Sequence, residues 1–262
     1  MKNDLKKKVW SKKDYYQKAH AGSLDTKHYG MVLLKEVSTN AESILDLGCG
    51  DGTRLNYLTN PKTEGTGVDV SDMAISFSKK TYPNLNFLNA DLEKLPFQNN
   101  KFDLTYSAYV LEHLDNPEKV LNEAIRVTKQ GGNIILIAPN YGSPNRSSPV
   151  FKGSRILKLI SGFYKDLLHP VLKVERLGWN KVEPKIDSYE QDSDTTVEPY
   201  LGSLLLYLKQ NNLRVKVWSS CWEEEMPNPK LFQKVIKFLA KLKIYPFIYW
   251  GPHIVVQLNK SK

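Results

Sequence analysis

The feature that most constrains the fold is an apolar segment that runs directly into three glycines at alternate positions. Residues 44–47 read Ile-Leu-Asp-Leu, and Gly48, Gly50 and Gly52 follow. Glycine has no Cβ, so the chain can turn sharply there and its backbone can lie close to a ligand. The pattern therefore predicts a buried strand followed by a tight turn of the kind that begins nucleotide-binding sites.

The spacing of the glycines indicates which class of nucleotide ligand the turn fits. A dinucleotide-binding turn needs a small residue at the third position of G-x-G-x-x-G, where this chain has Thr53, and no Gly-Lys-Ser/Thr follows as in a Walker loop. Asp46 adds a carboxylate two residues before the first glycine, which we expect at the mouth of the turn. Such a carboxylate repels a pyrophosphate and attracts a cation. The turn favours a positively charged nucleoside.

This segment resembles the first motif of the class I S-adenosylmethionine-dependent methyltransferases, a strand that ends in D-x-G-x-G-x-G. Three later segments, residues 67–71, 85–92 and 101–114, resemble the next motifs of that family in the same order. The resemblance covers roughly residues 25–140. It implies an α/β fold: a Rossmann-like sheet of seven mostly parallel strands with helices on both faces, an antiparallel last strand, and a helical cap inserted after the fifth strand.

The resemblance also implies a cofactor, S-adenosyl-L-methionine, with S-adenosyl-L-homocysteine as the product. An acid at Asp69 would accept hydrogen bonds from both ribose hydroxyls. Asp91 would face the adenine amino group, Leu92 would supply a backbone amide to the ring, and the end of the fourth strand would lie beside the methionine moiety. The predicted cofactor-binding residues are Asp46, Gly48, Cys49, Gly50, Asp69, Val70, Asp91, Leu92, Ser107 and Ala108.

Each of these residues taken alone has a structural alternative. Asp46 could cap a helix or pair with a cation, Asp69 could serve a turn, and Asp91 could be a loop acid. We interpret Cys49 as a small residue in a tight turn rather than a nucleophile, and Asp51 as a solvated turn residue. The order and spacing of the acids favour the cofactor interpretation.

The cysteine content, the N-terminal sequence and the net charge indicate the cellular compartment. Cys49 and Cys221 are far apart and form no metal or disulfide framework, which fits a reducing compartment. The lysine-rich start has no apolar run typical of a secretory signal, and no window has the apolar length of a membrane span. We therefore expect a cytoplasmic protein. A net charge of +9 favours phosphates, anionic lipids or acidic substrates, or is simply a solubilising surface.

The chain is divided into a basic N-terminal segment, residues 1–22, and a methyltransferase domain, residues 23–262. Within the domain a helix is expected over 23–37, and strands near residues 44, 67, 85, 102 and 134 alternate with helices. This alternation is typical of a parallel sheet with crossover helices. The helix before the fifth strand is expected to begin with Asn116 and Pro117 and to stop at Gly131-Gly132, with a strand over 133–138.

Two insertions follow. Residues 141–196 are assigned as an acceptor-binding cap that carries a helix over 154–168, because they emerge at the carboxyl ends of the strands. A helix over 197–210 and a strand over 213–219 come next, and residues 222–252 form a basic amphipathic helical insertion before the last strand, 253–258. Asn228 is expected to cap its helix and Pro229 to open it.

The lysines of this second insertion recur along one helix side, at Lys230, Lys234, Lys237 and Lys241. The favoured interpretation is that the apolar side packs on the sheet and the aromatic residues that follow belong to the core. The alternative is peripheral contact of residues 229–250 with the inner membrane leaflet or with a lipid-linked substrate.

Methyl transfer from a sulfonium is a direct displacement in which positioning supplies much of the acceleration. An oxygen acceptor usually also needs a base within hydrogen-bond reach. His113 is the candidate catalytic residue, with Glu112 beside it; the alternative is a structural residue at a helix start. The candidate acceptor contacts are Tyr109, Asn140 and Tyr141.

An acidic cluster in the cap, Glu190, Asp192 and Asp194, could bind sugar hydroxyls or a metal, although a solvated loop is favoured and no metal is predicted. His169 and Arg176 are weaker candidates.

The predicted function is methyl transfer to an oxygen or nitrogen of a small-molecule acceptor, with a sugar or a lipid-linked glycan precursor as candidates. The alternatives are an RNA methyltransferase and a non-catalytic S-adenosylmethionine-binding protein. Adenine methylation is disfavoured because residues 107–110 read Ser-Ala-Tyr-Val rather than Asn/Asp-Pro-Pro-aromatic. No RNA-binding module is recognisable, so nucleic acid is not the favoured partner.

Overall fold

The computed structural model describes residues 25–168, 176–185, 190, 192–211, 213–223 and 228–260. The basic segment 1–22 and His169 lie outside the described residues.

Seven strands form one sheet in the spatial order β3-β2-β1-β4-β5-β9-β8. Their bounds are β1 Ser43–Leu47, β2 Glu64–Asp69, β3 Asn86–Asn89, β4 Phe102–Ala108, β5 Thr128–Pro139, β8 Arg214–Ser219 and β9 His253–Asn259. Strands β1 to β5 are mutually parallel, and β9 lies antiparallel between β5 and β8. The predicted mostly parallel sheet with an antiparallel last strand is confirmed.

Helices cover the sheet, and a two-stranded ribbon, β6 Asn180–Lys181 with β7 Val197–Glu198, lies apart from it. The helices are α1 Tyr29–Ser38, α2 Thr53–Leu58, α3 Asp72–Thr81, α4 Pro117–Val127, α5 Arg155–Leu168, α6 Leu201–Gln210 and α7 Leu231–Lys241. The part of the chain that the structure describes also contains two 3₁₀ turns, Leu111–His113 and Phe247–Tyr249. Among the described residues, no helix combines the length and the apolar character needed to cross a membrane.

The two faces of the sheet are both apolar, because successive side chains along a strand point to opposite faces and both faces are covered. Leu45 belongs to a core cluster with residues of α4 and α6, whereas Ile44 belongs to a second cluster with residues of α1 and α2. This arrangement holds the carboxyl ends of β1, β2 and β4 side by side at one edge.

Several predicted boundaries are wrong. Helix α4 ends at Val127, and Gly131 lies inside β5, where its amide donates to the carbonyl of Lys260. Helix α6 starts at Leu201 rather than 197, because β7 pairs with β6 first. Helix α1 starts at Tyr29, six residues after the expected start.

Helix α7 begins at Leu231 rather than Pro229, and the amide of Lys230 is satisfied by Oε1 of Gln233 at 2.9 Å. Asn228 therefore does not cap it. By contrast, α5 lies within one residue of the helix expected over 154–168.

Candidate active site

The glycine turn after β1 has an open surface free of side chains. Gly48, Gly50 and Gly52 all have positive φ, at 78°, 52° and 78°. A Cβ on Gly48 would lie 2.5 Å from Cγ2 of Val110, and one on Gly52 would lie 2.7 Å from the ring of Phe87. A Cβ on Gly50 would meet no atom within 4 Å. Gly48 and Gly52 are therefore required for packing, while Gly50 leaves the space in which a nucleoside can approach the backbone.

Asp69, at the end of β2, ties this turn to the next strand. Its Oδ2 accepts a hydrogen bond from the amide of Gly50 at 2.9 Å, and its Oδ1 accepts one from the amide of Ser71 at 2.9 Å. Burial raises the pKa of Asp69, and these amides oppose the rise. Each carboxylate oxygen can still accept a second bond, so ribose binding by Asp69 stays a prediction.

Asp46 lies beneath the turn and not at its mouth. The side chain is fully buried, and Oδ2 accepts a hydrogen bond of 2.6 Å from the hydroxyl of Tyr106. Oδ1 has no hydrogen-bond partner among the described residues. Burial raises the pKa of Asp46 to about 7, with Arg54 acting in the opposite direction. The structure thus buries the carboxylate that the sequence places at the mouth of the turn, and cofactor binding by Asp46 stays a prediction.

The remaining predicted cofactor residues line the same edge. Asp91 is exposed, and its Oδ1 accepts from the amide of Glu93 at 2.9 Å. The carbonyl of Val70 accepts from the side-chain amide of Asn89 at 3.0 Å. Leu92, Ser107 and Ala108 are buried. The hydroxyl of Ser107 has no partner among the described residues, so it is a second buried polar atom at this edge.

The structure shows the surroundings of Cys49 and Asp51, the two turn residues for which the sequence analysis expects structural roles. Burial raises the pKa of the Cys49 thiol well above its usual range, and Cys49 packs in the turn. This agrees with a small packing residue rather than a nucleophile. Asp51 is buried, not solvated as expected, and its Oδ1 accepts from the amide of Thr53 at 3.0 Å, at the start of α2.

Tyr109 continues from β4 into the region where an acceptor would lie. Its φ is +61°, an uncommon conformation for a bulky residue and one that costs strain. Its amide donates to the carbonyl of Ile137 at 2.9 Å. The rings of His28 and His253 lie 5.9 and 6.0 Å from its ring, and the guanidinium of Arg54 lies 5.9 Å from it.

His28, Arg54 and His253 were not identified from the sequence. They come from the segment before α1, from α2 and from the start of β9. Nothing in their local patterns distinguishes them, because only the fold brings them together at the end of β4.

His113 ends the 3₁₀ turn that follows β4 and faces carboxylates of the cap. Its Nδ1 lies 3.4 Å from Oδ1 of Asp194, and its Nε2 lies 3.8 Å from Oε1 of Glu112. Burial by itself lowers the pKa of His113, but Asp194, Glu112 and Asp192 outweigh it and raise the pKa. Burial raises the pKa of Glu112 to about 7. The cluster formed by His113, Glu112 and Asp194 is therefore suited to holding a proton.

Only part of the acidic cluster is exposed to solvent, whereas the sequence analysis favours a loop that is solvated throughout. Glu190 is exposed, but Asp194 is 2% exposed and the hydroxyl of Tyr141 donates to Oδ2 of Asp192. Thr196 holds the segment in place, since its amide donates to the carbonyl of Glu112 at 2.8 Å. The interpretation of Asp192 and Asp194 as solvated residues is therefore wrong. Asp194 is buried and Asp192 half-buried because the segment packs against the 3₁₀ turn, which no local pattern reveals.

This group also has the spacing of a metal site. One ligand atom from each of Glu112, His113 and Asp192 lies within 4.8 Å of the others. Tyr141 already bonds Asp192, and His113 faces Asp194. That this cluster holds no metal ion stays a prediction.

Asn140 is a structural residue and not an acceptor contact. It is fully buried, and its side-chain amide donates to the carbonyls of Tyr249 at 2.7 Å and Gly251 at 2.8 Å. Its side-chain oxygen accepts from the amide of Leu201 at 3.1 Å. Because the side chain is fully buried and held by three hydrogen bonds, the structure does not present Asn140 to an acceptor as the sequence predicts.

Tyr141 borders an open pocket of about 360 Å³ between the cap and the second insertion. Burial raises the pKa of Tyr141 and lowers the pKa of Arg146 to about 10. Arg176 is exposed and does not line this pocket. The lining includes Tyr141, Arg146, Arg155, Ile156, Leu159 and Phe232.

Comparison with known proteins gives consistent matches. A family model for the methyltransferase domain matches residues 45–136. The malonyl-[acyl-carrier protein] O-methyltransferase of Buchnera aphidicola is 34% identical over 138 residues, which are 52% of this chain and 53% of that protein. The demethylmenaquinone methyltransferase of Paenarthrobacter aurescens is 30% identical over 95 residues, which are 36% of this chain and 38% of that protein.

The chain thus spans about half or less of the length of these two curated relatives. Among solved structures, an S-adenosylmethionine-dependent methyltransferase from Mesorhizobium loti has a TM-score of 0.54 at 15% identity, over 87% of this chain and 96% of that one. At that identity the likeness concerns the fold. The domain match over residues 45–136, the strand order and the side-chain-free turn after β1 are together similar to those of class I S-adenosylmethionine-dependent methyltransferases.

Proposed function

We propose that the chain transfers a methyl group from S-adenosylmethionine to an oxygen or nitrogen atom of a small-molecule acceptor, with His113 taking the acceptor's proton. The observation that carries this proposal is the contact of His113 with buried Asp194, in a turn that packs on the glycine loop through Val110. A base held beside a cofactor turn is the arrangement that a hydroxyl acceptor requires.

The bound cofactor supplies an electrophilic methyl group on a positively charged sulfur. The chain's residues position the acceptor so that its lone pair forms the new bond to carbon while the carbon–sulfur pair returns to sulfur. The acceptor's proton goes to Nε2 of His113, because Nδ1 faces Asp194. Asp194 fixes the ring and stabilises the imidazolium that forms. The carboxylate of Glu112, 3.8 Å from Nε2, adds to the negative surroundings that favour the imidazolium.

Tyr109 and Tyr141 are proposed to contact the acceptor, since both lie at the strand ends that flank His113. The pocket beyond Tyr141 contains two guanidinium groups and several apolar side chains. Such a lining suits an acceptor with an anionic group and an apolar part. This supports a sugar or lipid-linked acceptor, and the proposal includes contact of residues 229–250 with the inner face of the membrane. The two relatives named for malonyl-[acyl-carrier protein] and demethylmenaquinone are consistent with small-molecule acceptors.

The test has two parts. Calorimetry with S-adenosylmethionine and S-adenosylhomocysteine measures cofactor binding, and Asp69→Ala should weaken it. Transfer of labelled methyl groups to separate fractions of lipid, glycan precursor and RNA then identifies the acceptor by mass analysis. Label in lipid or glycan supports the proposal. Label in RNA alone, or tight cofactor binding without any transfer, overturns it in favour of an RNA methyltransferase or a non-catalytic binder.

A further inference from the structure

Helix α5 buries two charged side chains and exposes an apolar stripe. Its Lys158 points inward and pairs with buried Glu198 at 2.7 Å. Its Asp166 is also buried, and Oδ2 accepts from Nε1 of Trp250 at 2.7 Å and from the hydroxyl of Tyr200. A surface helix normally turns its apolar stripe to the core. The exposed side chains of α5 include polar Arg155, Ser161 and Lys165, but most are apolar: Ile156, Leu157, Ile160, Tyr164, Leu167 and Leu168.

Helix α7 has a second exposed apolar stripe. Ile236 and Ala240 pack with Trp222 and Trp250, so the helix is anchored by one side. The favoured expectation that its apolar side packs on the sheet is therefore only partly right. Other apolar residues lie within about 60° of one another on the helical wheel and are exposed. They are Leu231, Val235, Phe238 and Leu242.

The two stripes belong to neighbouring helices. Ile156 of α5 and Phe232 of α7 line the same pocket. Leu159 and Phe163 of α5 pack against the cluster that holds Ile236. We call the exposed apolar residues of α5 and α7 together the apolar surface. Large exposed apolar surfaces mark interaction sites.

The charges around the apolar surface select its partner. Helix α7 contains no acidic residue, and the one acid of α5, Asp166, is buried. Lys234, Lys237 and Lys241 lie on one flank of the exposed stripe of α7, about a quarter turn from it. Apolar side chains flanked by lysines, with no exposed acid on either helix, match a bilayer with anionic headgroups.

We propose that the apolar surface docks the protein on an anionic lipid bilayer, with α5 and α7 lying in the interface. Docking would bring the pocket between the helices to the headgroup level, where Arg146 and Arg155 could meet a phosphate. The docking deepens the membrane contact of residues 229–250 that the proposed function includes, and the delivery of a lipid-linked acceptor rests on that function, whereas the docking does not require methyl transfer.

Vesicle flotation of the full chain tests the docking. Vesicles of phosphatidylcholine with about 30% phosphatidylglycerol should carry the protein, and neutral vesicles should carry at least about tenfold less. Lys234→Glu, Lys237→Glu and Lys241→Glu together should weaken binding about a hundredfold or more, since each lysine near such a surface contributes about fivefold. Lys62→Glu, Lys79→Glu and Lys80→Glu change the charge equally on exposed positions elsewhere and should have little effect.

A second pair of variants tests the apolar contribution. Ile160→Glu with Phe238→Glu changes side chains that are 49% and 61% exposed, and should abolish flotation. Val32→Glu with Phe77→Glu changes side chains that are 52% and 54% exposed on α1 and α3, and should leave flotation intact. Both double variants should retain the circular dichroism of the parent.

The proposal is overturned if anionic vesicles do not float the parent, or if the control variants lose binding equally. It is also overturned if light scattering shows a dimer that Ile160→Glu with Phe238→Glu dissociates while vesicles bind neither protein, because a second copy then covers the surface. Flotation needs neither cofactor nor acceptor. The result of the flotation test therefore does not depend on whether the protein transfers methyl groups.

Discussion

The imidazole of His113 and the carboxylate of Asp194 lie 3.4 Å apart, although one ends the turn after β4 and the other belongs to the insertion after β5. The contact joins the methyltransferase core to its cap. It gives the cap a direct part in the protonation of the proposed base.

The pH dependence of transfer should report this pair. Neutral His113 is the active form, and its pKa is raised by the cap carboxylates, so kcat should rise with pH through that pKa. Asp194→Asn removes a negative charge and should move the rise to lower pH. His113→Asn should lower kcat about 10²-fold or more with little change in cofactor affinity.

The measurement for this pair is kcat against pH for the parent and both variants, together with cofactor Kd by calorimetry. A profile that Asp194→Asn leaves in place would mean that Asp194 does not face the titrating group. A loss of cofactor affinity in His113→Asn would indicate a structural role instead.

Gly50→Ala should selectively impair cofactor binding. Its new methyl group meets no protein atom within 4 Å but fills the space proposed for the nucleoside. We expect Kd for S-adenosylhomocysteine to rise at least about tenfold. Gly131→Ala is the matched control, because Gly131 also has positive φ, 77°, and no atom within 4 Å of an added Cβ.

Both glycine variants should lose similar stability, about 1–2 kcal/mol, because the backbone strain is alike. Urea unfolding measures this loss, and calorimetry measures Kd. Equal affinities in the two variants would contradict a nucleoside at Gly50.

Asp46→Asn should stabilise the protein more at high pH than at low pH. Burial raises the folded pKa of Asp46 from 3.8 to about 7, so the parent protein loses stability as pH rises from the unfolded pKa up to the folded one, and not further above it. Asparagine keeps an acceptor for the Tyr106 hydroxyl and never ionises. The gain in the free energy of unfolding should grow by about 2 kcal/mol between pH 5.5 and 8.5.

Urea denaturation of parent and variant at both pH values gives this difference. Other groups titrate alike in the two proteins, so their contributions to the free energy of unfolding cancel. A gain that does not change with pH would show that Asp46 remains ionised throughout, with Arg54 as its counter-ion.

Asn140→Ala should act on stability and not on acceptor recognition. The substitution leaves the carbonyls of Tyr249 and Gly251 and the amide of Leu201 without their partner. We expect a loss of about 2–4 kcal/mol in the free energy of unfolding. At a temperature where the variant is folded, KM for the acceptor should stay within about twofold. A large rise in KM without a loss of stability would restore Asn140 as an acceptor contact.

Chelation of divalent metals should leave transfer unchanged, because the proposed reaction needs a base and positioning rather than a Lewis acid. Activity with and without EDTA measures this. Activity that EDTA abolishes and Mn²⁺ restores would instead assign Glu112, His113 and Asp192 to a metal.

The sequence by itself determined the sheet and the glycine turn at its edge, because these depend on local signals. An apolar run followed by Gly48, Gly50 and Gly52 predicts a strand and a turn, and Asp69 at the end of the next strand follows from the same short-range pattern. The bounds of helix α5 also agree with the helix predicted over 154–168 to within one residue, because so long a segment needs secondary structure of its own.

Only the tertiary structure decided what the cap residues do. Asp194 was expected in solvent and faces His113, Asn140 was expected at the acceptor and holds the C-terminal segment, and Asp46 lies below the turn. The direction of an amphipathic helix is equally non-local: periodicity shows that α5 has an apolar side, but burial of Lys158 and Asp166 by partners from other segments turns that side outward. Burial and ion pairing depend on residues distant in the chain, and a sequence pattern carries no information on which of them will meet.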